Sequence, residues 1–284
     1  MTGLKLKKIG RVKFLFNLVL IQTLPFWVSC KATSTLQQDS LRLIYSLDIG
    51  CVYTATDNLQ NLYVATSEGS VIKFDNKGNR QFEYNNKRLG QVGKIEARNP
   101  FNILVYYPEL AVIIILDRTL SEIKELNLFD LDIIEPQAIA IANDNNIWLF
   151  DQVSALLKKI DQEGNVLFES RNLNQILGKN LNPSFLKEYN NLLYLSDPLE
   201  SIFIFDLFGQ LKQILPIEEV QQFQIWKNQV IYLKKKQLMT LDLETLEEST
   251  FAIPQLTTTS LMTAQIQQGR LILIEQERVR VFQF

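Results

Sequence analysis

The sequence has no histidine, 2 cysteines, 11 glycines and 8 prolines in 284 residues. The lack of histidine excludes Ser-His-Asp and Cys-His catalysis and imidazole metal ligands. Two cysteines cannot form a disulfide scaffold or a four-cysteine zinc site, and the low glycine and proline counts exclude collagen-like and low-complexity chains. Hydrophobic residues make up 46% of the sequence, too much for an intrinsically disordered chain. We therefore expect a globular protein without a histidine-based active site, and we predict no cofactor or metal.

Residues 1–29 have the pattern of a signal peptide. Positions 1–13 carry five basic residues and no acidic one, and an apolar run from Phe14 to Val28 follows. A basic segment before a short apolar run is typical of secretory signals, whereas a membrane span needs about 20 residues. Ser29 and Cys30 follow the run directly, and this end resembles the bacterial lipoprotein processing box, although Trp27 stands where leucine is usual. The resemblance implies lipidation (palmitate) of Cys30; an uncleaved signal anchor and cleavage at another site remain alternatives.

Removal of the leader changes the charge of the chain. The leader holds 5 of the 29 basic residues and none of the 31 acidic ones, so the mature chain has a net charge of −7. This charge argues against nucleic-acid binding and against electrostatic attachment to membranes. Attachment would then depend on acyl chains at Cys30. Lys31 directly after the cysteine resembles the signal for sorting lipoproteins to the outer membrane. Residues 31–40 lack the acidic cluster that resembles a surface-export signal, so we expect the periplasmic face of that membrane. Residues 30–40 would form a lipidated tether.

Residues 41–284 contain a repeat typical of antiparallel hairpins. In five copies, a turn residue, two apolar strands and an aspartate follow one another: Asn61 to Asp75, Asn102 to Asp117, Asn146 to Asp161, Asn191 to Asp206 and Asn228 to Asp242. A sixth copy begins at Gly269. Repeats of about 40 to 50 residues with four short strands indicate a β-propeller. We predict an all-β fold with six blades; the alternative is seven blades, with a degenerate one between residues 245 and 268.

The last copy supplies only three strands, at residues 261–265, 271–275 and 279–284. An unassigned apolar segment, residues 41–49, precedes the first blade. We expect this N-terminal strand to become the outer strand of the last blade, because that pairing closes the ring and covers an open sheet edge.

Three segments carry a resemblance to known propellers. Residues 57–79, DNLQNLYVATSEGSVIKFDNKGN, resemble an NHL-like blade. Residues 99–117 and 196–209 resemble uncharacterised Bacteroidetes lipoprotein propellers with six blades. The resemblance covers most of residues 41–284 and implies the fold, but it carries over no catalytic residue.

Several acidic and basic groups are candidate sites. The repeated aspartates fit hairpin turns, and the acids at Asp130, Asp132, Glu135 and Asp144 lack the spacing of a calcium loop. The basic run at residues 234–236 fits a hairpin tip. Five carboxylates near the ends of second strands could border the central opening and supply a glycosidase-type pair: Glu68, Glu109, Asp151, Asp197 and Glu275.

Aromatic residues in predicted loops are candidates for a protein interface. They are Tyr106, Tyr107, Phe129, Phe208, Phe223 and Trp226. Trp148 and Tyr194 lie within predicted strands and are expected in the core, and Cys51 is expected to be a buried free thiol.

These patterns favour a non-enzymatic cell-envelope lipoprotein, a β-propeller scaffold for protein–protein interaction at the outer membrane. Propeller lipoproteins that assist outer-membrane assembly are a fold-level analogy. The alternative is a ligand-binding or hydrolytic propeller acting on a sugar or a cell-wall fragment. The predicted partners are the membrane, through the lipid anchor, and an envelope protein, with no nucleic acid.

Overall fold

The computed structural model describes residues 41–251 and 261–283, which form six antiparallel sheets of four strands each. The predicted signal peptide, Cys30 and the tether lie outside the described residues. No helix in the described part of the chain has the length and apolar character needed to span a membrane.

The sheets are the six blades of a propeller. Blade 1 contains β2 (Tyr53–Thr56), β3 (Leu62–Ala65), β4 (Ser70–Phe74) and β5 (Arg80–Asn85). Blade 2 contains β6 (Lys94–Glu96), β7 (Ile103–Tyr107), β8 (Val112–Leu116) and β9 (Glu122–Asn127). Blade 3 contains β10 (Pro136–Ile141), β11 (Ile147–Asp151), β12 (Leu156–Ile160) and β13 (Val166–Glu169).

The second half of the ring repeats this arrangement. Blade 4 contains β14 (Phe185–Tyr189), β15 (Leu192–Asp197), β16 (Ser201–Asp206) and β17 (Leu211–Leu215). Blade 5 contains β18 (Phe223–Trp226), β19 (Gln229–Lys234), β20 (Gln237–Asp242) and β21 (Glu248–Thr250). Blade 6 contains β22 (Leu261–Gln267), β23 (Arg270–Glu275), β24 (Arg278–Gln283) and β1 (Arg42–Leu47).

Short helices occupy three connections. Two 3-10 helices span Pro108–Leu110 and Leu128–Leu131, and α1 spans Leu173–Leu177. The helix α1 begins after Asn172, whose side chain accepts a hydrogen bond from the Gln175 N–H at 2.9 Å, and ends at Gly178 in the left-handed conformation.

The core lies between neighbouring blades. Each of six apolar clusters joins the faces of two adjacent blades, and the middle strands supply most of their residues. All five residues of β7 and all five of β8 are buried, whereas β5 is largely exposed. The middle strands are rich in Ile, Leu and Val because each of their two faces is covered by a neighbouring blade.

The repeated aspartates stabilise the turns between third and fourth strands, as predicted. Asp161 Oδ1 accepts hydrogen bonds from the Glu163 and Asn165 N–H groups at 2.9 and 2.8 Å. Gly164 follows with a φ of 91°, which an L side chain rarely adopts. Equivalent carboxylate bonds are made by Asp75, Asp117, Asp206 and Asp242.

The N-terminal strand closes the ring. β1 pairs antiparallel with β24, from Arg42 opposite Gln283 to Leu47 opposite Val279. The six-bladed fold and its closing strand are therefore confirmed, and the seven-bladed alternative is wrong. The segment suspected of holding a seventh blade, residues 245–268, contains β21 of blade 5 and the whole of β22 of blade 6. The turn at Lys235 joins β19 to β20, as expected of a hairpin tip.

Candidate functional site

The first strands of the blades surround a central cavity. Neighbouring first strands contact one another, β2 with β6, β6 with β10, β10 with β14 and β18 with β22. The cavity has a volume of about 640 Å³ and is lined by residues of blades 1, 2, 4, 5 and 6, with Asn143 from blade 3. Its volume is in the range of small-molecule sites.

Lys94 ties the inner strands of three blades together. Its Nζ donates to the carbonyl oxygen of Leu186 at 3.1 Å and to that of Ile139, and it lies 4.3 Å from the centre of the Phe185 ring. Burial lowers the pKa of Lys94 from its ordinary 10.5 to about 8, although the neighbouring Glu96 opposes that shift.

Glu96 lies between two lysines. Its Oε1 is 3.5 Å from Lys94 Nζ and its Oε2 is 3.2 Å from Lys187 Nζ. Burial alone would raise the pKa of Glu96, but Lys187 and Lys94 outweigh burial and hold the pKa below its usual value. The carboxylate is therefore ionised at neutral pH and is neutralised within the cavity wall.

Two groups of blade 3 donate hydrogen bonds to the carboxylate of Glu188. Its Oε2 accepts the Trp148 Nε1–H at 2.7 Å and its Oε1 accepts the Asn143 N–H at 3.3 Å. The Asn143 side chain in turn accepts a hydrogen bond from Arg98 Nη1 at 2.7 Å. This chain of contacts connects Arg98 with Glu188, and the positive charge of Arg98, like that of Lys187, lowers the pKa of Glu96.

Glutamine side chains join the remaining inner strands. Gln265 Nε2 donates to the Thr54 carbonyl oxygen at 2.9 Å, linking blades 6 and 1. Gln224 Oε1 accepts the Ile266 N–H at 2.6 Å, linking blades 5 and 6. The cavity wall is therefore polar on both sides of the axis. Among the described residues, no group of three or more His, Cys, Asp or Glu residues could hold a metal ion.

The five carboxylates predicted to border the central opening do not line this cavity, so that prediction is wrong. Asp151, Asp197 and Glu275 are buried at the ends of second strands, one strand away from the axis. Asp197, for example, accepts hydrogen bonds from the Asn182 and Leu199 N–H groups at 2.7 and 3.0 Å. Sequence reasoning missed Lys94, Glu96 and Lys187, whose signal is a charged residue within a short first strand.

Three of the predicted interface aromatics are buried, so the expectation that they are exposed loop residues is wrong. Tyr106 and Tyr107 lie in β7, which continues to the 3-10 helix, and Tyr106 Oη donates to the Pro136 carbonyl oxygen at 2.7 Å. Phe223 lies in β18 and packs edge-on against Phe185. Trp226 is half-buried, against the core between blades 5 and 6.

The exposure expected of the other two loop aromatics is confirmed, as are the burial of the two strand aromatics and the burial of Cys51. Phe208 is 76% exposed, and Phe129 is exposed as well. Trp148 and Tyr194 are buried in the core. Cys51 is a buried free cysteine, and burial raises the pKa of its thiol to about 11.

An apolar surface lies on the connections of blades 2 to 4. We call it the apolar loop face, and it consists of the exposed residues Leu110, Phe129, Ile134, Val153, Ile176 and Leu199. These residues lie in turns between second and third strands and in connections between blades, which share one side of the ring. Backbone hydrogen bonds from the Leu128 N–H to the Ala111 carbonyl and from the Leu173 N–H to the Ala155 carbonyl, at 2.9 and 2.8 Å, join each turn to the connection that leaves the same blade.

Comparisons with known proteins identify the fold. No protein-family model matches the sequence, and a comparison with curated proteins finds no match. A catalytically inactive histidine-to-alanine variant of virginiamycin B lyase from Staphylococcus aureus, solved with quinupristin, has a TM-score of 0.64 at 12% identity, over 86% of this chain and 100% of the lyase chain.

Two further solved structures are similar. BamB from Moraxella catarrhalis has a TM-score of 0.51 at 12% identity, over 81% of this chain and 82% of that chain. A protein of unknown function from Bacteroides caccae has a TM-score of 0.52 at 11% identity, over 70% of this chain and 80% of that chain. At these identities, the similarity supports the β-propeller fold, whose six blades are the six sheets described above, and it carries no residue-level chemistry.

Proposed function

We propose that this protein is a lipid-anchored component of the cell envelope, whose propeller is a non-enzymatic scaffold that binds another envelope protein through the apolar loop face. The observation that carries the proposal is the set of six exposed apolar side chains on one side of the ring, over blades 2 to 4. Large exposed apolar patches with polar rims mark interaction sites on soluble domains.

The charge around the apolar loop face indicates the chemistry of the partner. Glu109, Asp130, Asp132 and Glu135 lie in the same connections as its apolar residues. Lys179, also nearby, is paired with Glu200. A partner with apolar anchors and a basic rim complements this surface, because opposite charges at the rim steer association and exclude other partners.

The position of β1 is compatible with an anchor on the other side of the ring. β1 starts at Arg42, opposite Gln283, which also pairs with Arg270 beside the turn between β22 and β23. That turn and the aspartate turns lie on the side opposite the apolar loop face. A lipidated Cys30, reached through the 11 residues of 30–40, would attach there with a reach of about 35 Å, leaving the apolar loop face available on the periplasmic side of the outer membrane.

Two observations support a non-enzymatic role. The similar lyase is described as catalytically inactive when one of its histidines is replaced by alanine, and this sequence contains no histidine. The cavity carboxylates Glu96 and Glu188 are already engaged by lysines and by N–H donors. This arrangement disfavours a hydrolytic pair of acids, whereas the polar lining keeps ligand binding as the second candidate function.

The scaffold is tested by affinity purification of the full chain from detergent-solubilised membranes. We expect a partner that co-purifies with the wild type and is lost, by at least about tenfold, in Val153→Asp and Leu199→Asp, because a buried unpaired charge disrupts an apolar interface. Phe208→Asp is the matched control, since Phe208 is equally exposed but lies on the opposite side of the ring.

Equal recovery of the partner with Leu199→Asp and the wild type would contradict docking on the apolar loop face. Loss of the partner only in Phe208→Asp would place the interface on the other side of the ring.

In the same preparation, Cys30→Ser is expected to leave the chain in the soluble fraction. Retention of that variant in the membrane fraction would contradict the lipid anchor.

A further inference from the structure

The central cavity brings charged side chains together at the axis of an acidic protein. Two cations, Lys187 and Arg98, and two carboxylates, Glu96 and Glu188, line it, and a third cation, Lys94, lies behind the lining against Glu96. Lys94 and both carboxylates are buried, and their polar atoms are engaged by other groups. The cations left facing the space are therefore Lys187 and Arg98.

Lys187 and Arg98 are accessible to a ligand. The Lys187 side chain is 27% exposed, and its ammonium, which has three potential donors, contacts the two carboxylate oxygens of Glu96 at 3.5 and 3.2 Å. Arg98 is exposed, and among the described residues only Asn143 accepts a hydrogen bond from its guanidinium. Guanidinium and ammonium groups with free donors on the same side of a cavity bind carboxylates through charge-assisted hydrogen bonds.

Amide and aromatic side chains complete the lining. Asn190 and Asn191 form the turn between β14 and β15 at the cavity, and both are exposed. Tyr53 and Tyr189 add half-buried aromatic surface to the same cavity. Amides both donate and accept hydrogen bonds, so they suit hydroxyl groups, and aromatic rings suit the apolar faces of sugar rings.

We propose that the central cavity binds a small carboxylated saccharide of one or two sugar units, with its carboxylate at Lys187 and Arg98 and its hydroxyl groups at the amides. The volume of about 640 Å³ accommodates a ligand of this size. The engaged state of Glu96 and Glu188 makes this a binding site without a hydrolytic step. It is independent of the apolar loop face, which lies on the connections outside the cavity.

The test is isothermal titration calorimetry of the full chain in detergent with D-glucuronate, D-glucose and succinate. We expect saturable binding of glucuronate with a Kd below about 1 mM. Glucose, which lacks the carboxylate, and succinate, which lacks the hydroxyl groups, should each bind at least about tenfold more weakly.

Arg98→Ala and Lys187→Met should each weaken glucuronate binding by about tenfold. Lys212→Ala is the matched control, since Lys212 lies on the outer strand β17 and pairs with Asp206 at 2.9 Å. Arg98 is exposed, so its variant keeps the test valid if Lys187→Met does not fold.

Three results would overturn the assignment: no saturable heat with glucuronate, equal affinity for glucuronate and glucose or succinate, or unchanged affinity in Arg98→Ala. None of these results bears on partner capture, so failure here is distinguishable from failure of the scaffold.

Discussion

At the scale of single residues, Lys94 illustrates how a buried charge becomes a structural link. In place of water, its ammonium contacts two carbonyl oxygens, a carboxylate and an aromatic ring, which belong to three blades. Each of these contacts compensates part of the cost of removing the charge from water. Burial nevertheless dominates, and this explains why the pKa of Lys94 is lowered.

We expect Lys94→Met to lower the free energy of unfolding by about 2 kcal/mol at pH 7, because it leaves two carbonyl groups and part of the Glu96 charge unpaired. Between pH 8 and 10.5 the unfolded chain keeps the Lys94 proton that the folded chain has lost. The stability contributed by Lys94 therefore rises with pH in this window, by up to about 1.4 kcal/mol per pH unit.

Urea unfolding of the wild type and of Lys94→Met from pH 7 to 10 measures this effect. The difference between the two proteins should widen with pH, whereas Lys212→Met should give a small difference that does not change. A difference for Lys94→Met that stays flat from pH 8 to 10 would show that this lysine is not the titrating group.

At the scale of elements, the hairpin between third and fourth strands is the most locally determined part of each blade. In the turn after β12, Asp161 also accepts the Asn165 Nδ2–H at 2.8 Å. This side-chain bond and the bonds from the backbone N–H groups lower the pKa of Asp161 below its ordinary value of 3.8. The ionised carboxylate thus stabilises the turn.

Asp161→Ala should lower the thermal unfolding midpoint by about 2–4 °C at pH 7, because the turn N–H groups lose their acceptor. The stabilisation is complete above pH 3.8 and is lost as the pH falls through the lowered pKa of the folded state, so the difference from the wild type should shrink towards pH 2.5. Glu163→Ala, in the same turn, is the control and should have little effect. A midpoint unchanged by Asp161→Ala would contradict this role.

Local determination also explains which elements could be predicted. The aspartate turns were predictable because Asp161, Gly164 and the flanking strands lie within a few residues of one another. The cavity was not, because Glu96 and Lys187 are 91 residues apart in sequence. Tyr107 was misassigned because it is the last residue of β7, and Pro108, which follows it, is a loop signal in the sequence.

At the scale of the whole molecule, the closing strand makes the ring a single unit. Removal of β1 would leave the hydrogen-bonding edge of β24 open and would remove Ile44, Tyr45 and Leu47 from the core between blades 6 and 1. The repeat predicted this closure from a count of strands, since the last copy lacks its fourth strand.

Deletion of residues 41–47 should lower the thermal unfolding midpoint by roughly 10 °C or more, or abolish cooperative unfolding. Circular dichroism during heating measures it. Leu43→Ser serves as the control, because the Leu43 side chain in β1 is 50% exposed and contributes little to the core. A deletion variant that melts like the wild type would contradict closure by β1.

The pairing of β1 with β24 also sets a sequence of events for a chain synthesised from its N-terminus. Arg42 and its partner Gln283 are separated by almost the whole of the described chain, so this contact has one of the highest contact orders in the fold. Blades 1 to 5 can form from local hairpins as they emerge, but blade 6 must wait for the final strand. During that interval β1 is an unpaired strand, and its backbone N–H and C=O groups are free to pair with other chains. The first strand of the described chain is the last to be paired, and the time that it remains unpaired is the period in which misassembly competes with folding.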